Sequence, residues 1–133
     1  MLVGEHGCGT TTLLHELHDP PRTVLLTQPP GEEWADADVA THAFDAPHLV
    51  GREYWTLSGG ERQRVRLGTA LSSGGILLLD EPLGYLDDVG VVAVLDGLAG
   101  RTVVMVCKSD PRAWKRADRL LELRDGALHP VTA

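Results

Sequence analysis

Lysine is scarce in this chain. Only Lys108 and Lys115 occur, and with the arginines they make 12 basic residues against 19 acidic ones, a formal net charge of −7. That balance excludes the broad basic footprint by which nucleic-acid binders hold a phosphate backbone. Cysteine is scarce too. Cys8 and Cys107 do not make a disulfide framework, which points to a reducing, cytosolic setting. No apolar run approaches the ~18 residues that span a bilayer. Met1 leads almost at once into a glycine-rich stretch, so no secretory leader is expected. Internal repeats, low-complexity tracts and linkers are missing as well.

What is present reads as one globular domain over residues 1–133, with 43% hydrophobic and 23% charged residues. Acidic residues gather at Glu32, Glu33, Asp36, Asp38 and Asp45, best taken as a solvated surface. Strand and helix signals alternate along the chain. Met1–Val3 is a strand stub, and Thr10–His18 a short helix with Leu13, Leu14 and Leu17 on its apolar side. Two prolines in "HDPPR" end that helix. "TVLLT" (23–27) is a strand, and "GILLLD" (75–80) is the continuous apolar kind buried on both faces of a parallel sheet. Between them, Ser58–Leu71 is a helix whose Ser58 and Glu61 have capping-box spacing. A helix near Val89–Leu98, a strand over 102–106 and a helix near Pro111–Ala117 follow. The tail forms a hairpin turning at Asp125-Gly126. The expected class is α/β, with a largely parallel sheet whose ligands sit at the carboxyl ends of the strands.

"GEHGCGTTT" (4–12) lies between a strand and a helix, where a phosphate-binding loop belongs. Its glycines, Gly4, Gly7 and Gly9, let the backbone curl so that amides point inward, and the helix start adds partial positive charge. Taken alone, an ordinary tight turn explains the stretch as well. It does not stand alone. "LSGGERQRV" (57–65) is followed ten residues later by "ILLLDEP" (76–82) and then by "LGYLDD" (83–88).

This ordered set resembles the ATP-binding cassette (ABC) family of ATPases, and the resemblance runs through nearly the whole chain. It implies a P-loop NTPase fold, with ATP and Mg²⁺ as ligand and cofactor. The implied phosphate loop is Gly4, Glu5, His6, Gly7, Cys8, Gly9, Thr10, Thr11 and Thr12. The implied signature motif is Leu57, Ser58, Gly59, Gly60 and Glu61, serving nucleotide held by an opposite subunit. Thr11, Gln28 and Asp80 would hold Mg²⁺, Glu81 would be the general base with Gln28 beside it, and Asp87 would span the dimer interface. Tyr85 stands where the family usually has a small residue.

Four departures concern the nucleotide. Thr10 replaces the loop lysine, whose charge-assisted contact to phosphate is worth roughly 1.5–3 kcal/mol. The switch histidine is missing: Cys107-Lys108-Ser109-Asp110 stands in its place, with Lys108 or Ser109 at the histidine position according to the alignment. With Met1 three residues before Gly4, no counterpart is expected for the upstream aromatic that stacks on adenine in the family. Finally, the antiparallel subdomain is reduced to a proline turn, and the helical subdomain between Gln28 and Ser58 is reduced as well. Lys108, near the carboxyl edge of the sheet, could supply the ammonium missing at Thr10; a solvent-facing loop lysine fits equally.

The expected protein is therefore an ATP-binding subunit, cytoplasmic and peripheral at the inner face of the cell membrane. It would dimerise around ATP with an ABC-type partner subunit, a heterodimer being favoured, and act with an integral membrane permease. An intact signature beside a damaged phosphate loop implies weak hydrolysis alone. A non-catalytic regulatory or scaffolding cassette is the alternative. A soluble ABC protein of chromosome maintenance or translation fits poorly without heptads or basic surface. The remaining candidates have bland readings: His15 and His18 as surface residues, His42 and His48 as loop residues, Cys8 as a small filler. Trp34, Trp55 and Trp114 read as packing anchors.

Overall fold

A computed structural model describes residues 1–3, 9–26, 42–72, 74–107 and 110–131, without the side chains of Leu2, Val3 and Thr11. In chain order the elements are β1 (Leu2–Val3), α1 (Thr10–Leu17), β2 (Thr23–Leu26), α2 (Gly59–Ser72), β3 (Ile76–Asp80), α3 (Asp88–Gly97), β4 (Val103–Val106), α4 (Pro111–Arg116), β5 (Leu121–Arg124) and β6 (Ala127–Pro130). Two single-turn 3₁₀ segments, Pro47–Leu49 and Tyr54–Thr56, precede α2. The six strands form one sheet in the order β2-β3-β4-β1-β5-β6, parallel except for the β5–β6 hairpin. The α/β class and the largely parallel sheet expected from the sequence are the ones observed.

Alternation along β3 builds the two layers. Leu77 and Leu79 face one side, where they pack with Leu67 of α2, Val91, Val94 and Leu95 of α3, and Ala113 of α4. Leu78 faces the other, against Leu14 of α1 and Val106 of β4. A strand buried on both faces must be apolar, which is why Leu77, Leu78 and Leu79 form a run rather than an alternation, whereas Ile76 at the start of the strand is exposed. The fully buried Leu14 shows how α1 is fastened, but Leu17 is 46% exposed and does not join the apolar side expected for it. The helix ends there, before that face reaches the sheet.

Local signals account for the element ends. Ser58 and Glu61 cap α2 reciprocally: the Ser58 amide donates to Glu61 Oε1 at 2.9 Å, and the Glu61 amide to Ser58 Oγ at 3.2 Å. The Ser58 amide holds the Glu61 carboxyl below the ordinary carboxylate range. At the hairpin, Asp125 and Gly126 both have positive φ, 53° and 75°, as a two-residue type I′ turn requires. Only His18–Arg22 joins α1 to β2. Among the described residues no helix is long and apolar enough to cross a membrane.

Trp55 departs from its expected role. It is 51% exposed, with its ring and that of Tyr54 lying under the Arg62 guanidinium, 5.4 Å from each centroid. Trp114 does anchor: its indole Nε1 donates to the Cys107 carbonyl at 2.8 Å. Trp34 lies outside the described residues.

Candidate functional site

The parallel register brings the carboxyl ends of four strands level. Leu26 of β2 pairs with Leu79, Asp80 of β3 with Val106, and Val106 of β4 lies opposite Leu2 of β1. Glu81 after β3 and Cys107 after β4 therefore lie at one edge, the edge where parallel sheets bind ligands.

Asp80 closes β3 at that edge with 1% of its surface exposed. It has the same strand parity as Leu78, so it faces the α1 side of the sheet. A carboxylate enclosed to this degree is costly unless it is partnered or coordinates a cation. Glu81 comes next, half-buried, with φ at 49°; its amide donates to the Val106 carbonyl at 2.9 Å, extending the β3–β4 pairing by one residue. Left-handed backbone at a glutamate is uncommon and clusters at functional sites. It turns the chain abruptly after the strand and keeps Glu81 at the sheet edge.

Below Asp80, α1 starts on Gly9, which adopts φ 101°. Among the described residues no side chain caps this helix, and its first turn holds no acidic residue. The amides of a helix's first turn need acceptors from outside the helix, and the helix dipole favours anionic ones. Thr10, 1% exposed, is packed into the protein at the first helical position, and Thr12 is exposed. Gly4, Glu5, His6, Gly7 and Cys8, with Gln28 and Lys108, lie outside the described residues.

Helix α2 is fastened to the turn that follows β3. A Cβ on Gly60 would stand 2.9 Å from the Tyr85 carbonyl oxygen, and one on Gly59 3.2 Å from the Tyr85 ring. Only glycine lets α2 start this close. Deeper in, Gln63 Nε2 donates to the Pro82 carbonyl at 2.6 Å, and the Arg66 guanidinium donates to Gln63 Oε1 at 3.2 Å; both side chains are buried. Leu57 packs in a second small core with Leu49, Tyr54 and Val65. Asp87 caps α3, its carboxylate accepting from the Gly90 amide at 2.7 Å. Sequence reasoning places Gln63 in the LSGGERQRV stretch but does not mark it, or Arg66, as buried, because polar residues on a helix normally face water.

No family profile matches the chain. Individual proteins do. It is 40% identical over 101 residues to the hemin import ATP-binding protein HmuV of Pseudomonas aeruginosa, a match covering 68% of this chain and 40% of that protein. It is 38% identical over 105 residues to the pyoverdine export ATP-binding/permease protein PvdT of Pseudomonas entomophila, covering 75% of this chain and 16% of that one. The chain belongs to the ATP-binding cassette family. The fold of this cassette agrees. An ATP-binding cassette of an ABC transporter in its ADP conformation matches with a TM-score of 0.71 at 15% identity, covering 96% of this chain and 77% of the other. An inward-facing ABC transporter of metal-chelate type matches at 0.68 and 22%, covering 98% of this chain and 70% of that one. The cassette spans less than half the length of HmuV and of PvdT.

Proposed function

We propose that this cassette is an ATP-binding subunit of a transporter complex, closing on ATP with a partner cassette and hydrolysing little by itself. The observation that carries this reading is the meeting, at one sheet edge, of the start of α1 on Gly9, the buried Asp80, and Glu81 on a turn fastened to the signature helix. Phosphates suit the α1 amides, and a buried carboxylate at a strand end suits a hydrated divalent cation. Thr11, Asp80 and Gln28 would hold Mg²⁺, which when bound neutralises charge between the terminal phosphates. Glu81 would accept a proton from the attacking water. Asp87 and the signature residues would meet the partner, and a membrane permease would receive the closure. The matched relatives include an import and an export protein, both named for ATP binding, which supports a reading built on ATP binding and not on one substrate.

Thr10 favours a second reading, a cassette that binds nucleotide as a regulatory module without turning it over. Titration of the pure chain with a fluorescent ATP analogue, with and without Mg²⁺, tests the shared step. Mg²⁺ should tighten binding to the wild type, and Asp80→Asn should abolish most of that gain while leaving metal-free binding unchanged. Equal Mg²⁺ gains in both proteins would remove Asp80 from the site. Absence of binding both with and without Mg²⁺ would overturn both readings.

A further inference from the structure

Helix α4 holds the end of β4 and its own start. The Trp114 indole donates to the Cys107 carbonyl at 2.8 Å. Asp110 caps α4, accepting from the Arg112 amide at 3.0 Å, while the amide of Ala113 donates to the Asp110 carbonyl at 3.1 Å. The Arg112 side chain then closes a fork on the same carboxylate, Nε to Oδ1 at 3.0 Å and a terminal nitrogen to Oδ2 at 2.8 Å. Its other terminal nitrogen reaches away, to Asp88 Oδ1 at 2.7 Å. Asp88 is the first residue of α3, next to Asp87, on the segment that carries Glu81. One planar guanidinium thus joins the starts of α3 and α4, the helices that follow neighbouring strands.

We propose that Arg112 is a positioning residue that ties Asp110, at the start of α4, to Asp88, at the start of α3, so that the helices following β3 and β4 are held together beside the carboxyl edge. Capping alone would need only the fork on Asp110. The third arm is the informative one, because it adds nothing to α4 and joins elements 24 residues apart. Bidentate guanidinium–carboxylate geometry fixes direction as well as distance. Mutual hydrogen bonding holds the Asp110 carboxyl below its ordinary range and the Arg112 guanidinium further above its own, as a fully charged network requires. Because Arg112 and Asp88 are solvent-exposed, the arm contributes little to global stability; its effect is local order.

The proposal rests on the ATP reading for its consequence, but its geometry is testable separately. Asp88→Asn cuts the long arm and leaves the fork intact, while Asp88→Glu restores the charge. Native-state hydrogen exchange should show the Ala113 and Trp114 amides exchanging about two- to fivefold faster in Asp88→Asn, with the change absent in an Arg112→Gln background and reversed in Asp88→Glu. Mg-ATP affinity should fall by a similar factor in Asp88→Asn and in Arg112→Gln, without multiplying in the double variant. The melting temperature of Asp88→Asn should stay near that of the wild type. Unchanged exchange at Ala113 and Trp114 overturns the tie itself. Faster exchange with full ATP affinity in both variants overturns its role at the site. Absence of ATP binding in the wild type overturns the ATP reading and leaves the exchange result to decide the tie.

Discussion

Thr10→Lys should raise the affinity of this cassette for Mg-ATP by roughly 10- to 150-fold, the equivalent of regaining one charge-assisted contact of about 1.5–3 kcal/mol. Two effects compete at this position. The ammonium gains phosphate, but Thr10 is packed into the protein at the start of α1, and a longer side chain there must find room. Overpacking of that kind typically costs about 1–3 kcal/mol of stability. It acts on folding, whereas the phosphate contact acts on binding, so the two are separable. The variant should melt lower than the wild type and yet bind ATP more tightly. Lys108→Ala resolves the remaining ambiguity. If Lys108 stands in for the missing ammonium, its removal should weaken ATP binding clearly in the wild type and little in Thr10→Lys. If Lys108 is a solvent-facing loop residue, affinity should not change in either background. Equilibrium titration of the four proteins gives the answer. An affinity that does not rise in Thr10→Lys would mean that the loop has lost its phosphate-binding shape and not merely its lysine.

Gln63→Ala should be the most damaging single change away from the loop, destabilising the fold by about 2–5 kcal/mol in urea unfolding. The side chain is enclosed, and it connects two groups that cannot readily find water. Without it the Pro82 carbonyl loses the amide 2.6 Å away, and the buried Arg66 guanidinium loses an acceptor at 3.2 Å. Gln63→Met separates hydrogen bonding from packing, since it keeps most of the volume and none of the polarity. We expect it to retain about 2 kcal/mol of the loss. A neutral Gln63→Met would show that the buried network contributes nothing and that packing alone holds α2 to the turn after β3. Because that turn carries Glu81, both variants should also loosen the site.

The elements whose causes are local are legible in the sequence. The capping box of α2, the apolar run of β3 and the Asp125-Gly126 turn each depend on residues within a few positions, and each stands where its spacing puts it. The position of Asp80 and Glu81 at the sheet edge is legible for the same reason, as a carboxylate pair ending a buried strand. Features that depend on distant partners are not legible. Gln63 and Pro82 are 19 residues apart and meet only after α2 packs on the sheet. The size of Trp55 suggests packing, yet it stacks under Arg62 at the surface, with its carbonyl accepting from the same guanidinium at 2.9 Å. The Arg112 tie is a third case: Asp88 ends the LGYLDD stretch, but its partner Arg112 sits on a different helix, 24 residues away and in no motif.

Amide chemical-shift mapping of the 14.3 kDa chain during titration with Mg-ATP tests the central claim most directly. Gly9, Thr10, Thr12 and Glu81 should shift together and saturate, as they line one edge of the sheet, while Arg101, Thr102 and Arg119 at the opposite ends of the strands should stay still. Saturation should need far more ATP than in Thr10→Lys, with the same residues responding in both. Shifts scattered over the surface, or confined to the far end, would contradict a nucleotide site at the carboxyl edge. A silent spectrum in both proteins would contradict nucleotide binding by this cassette altogether.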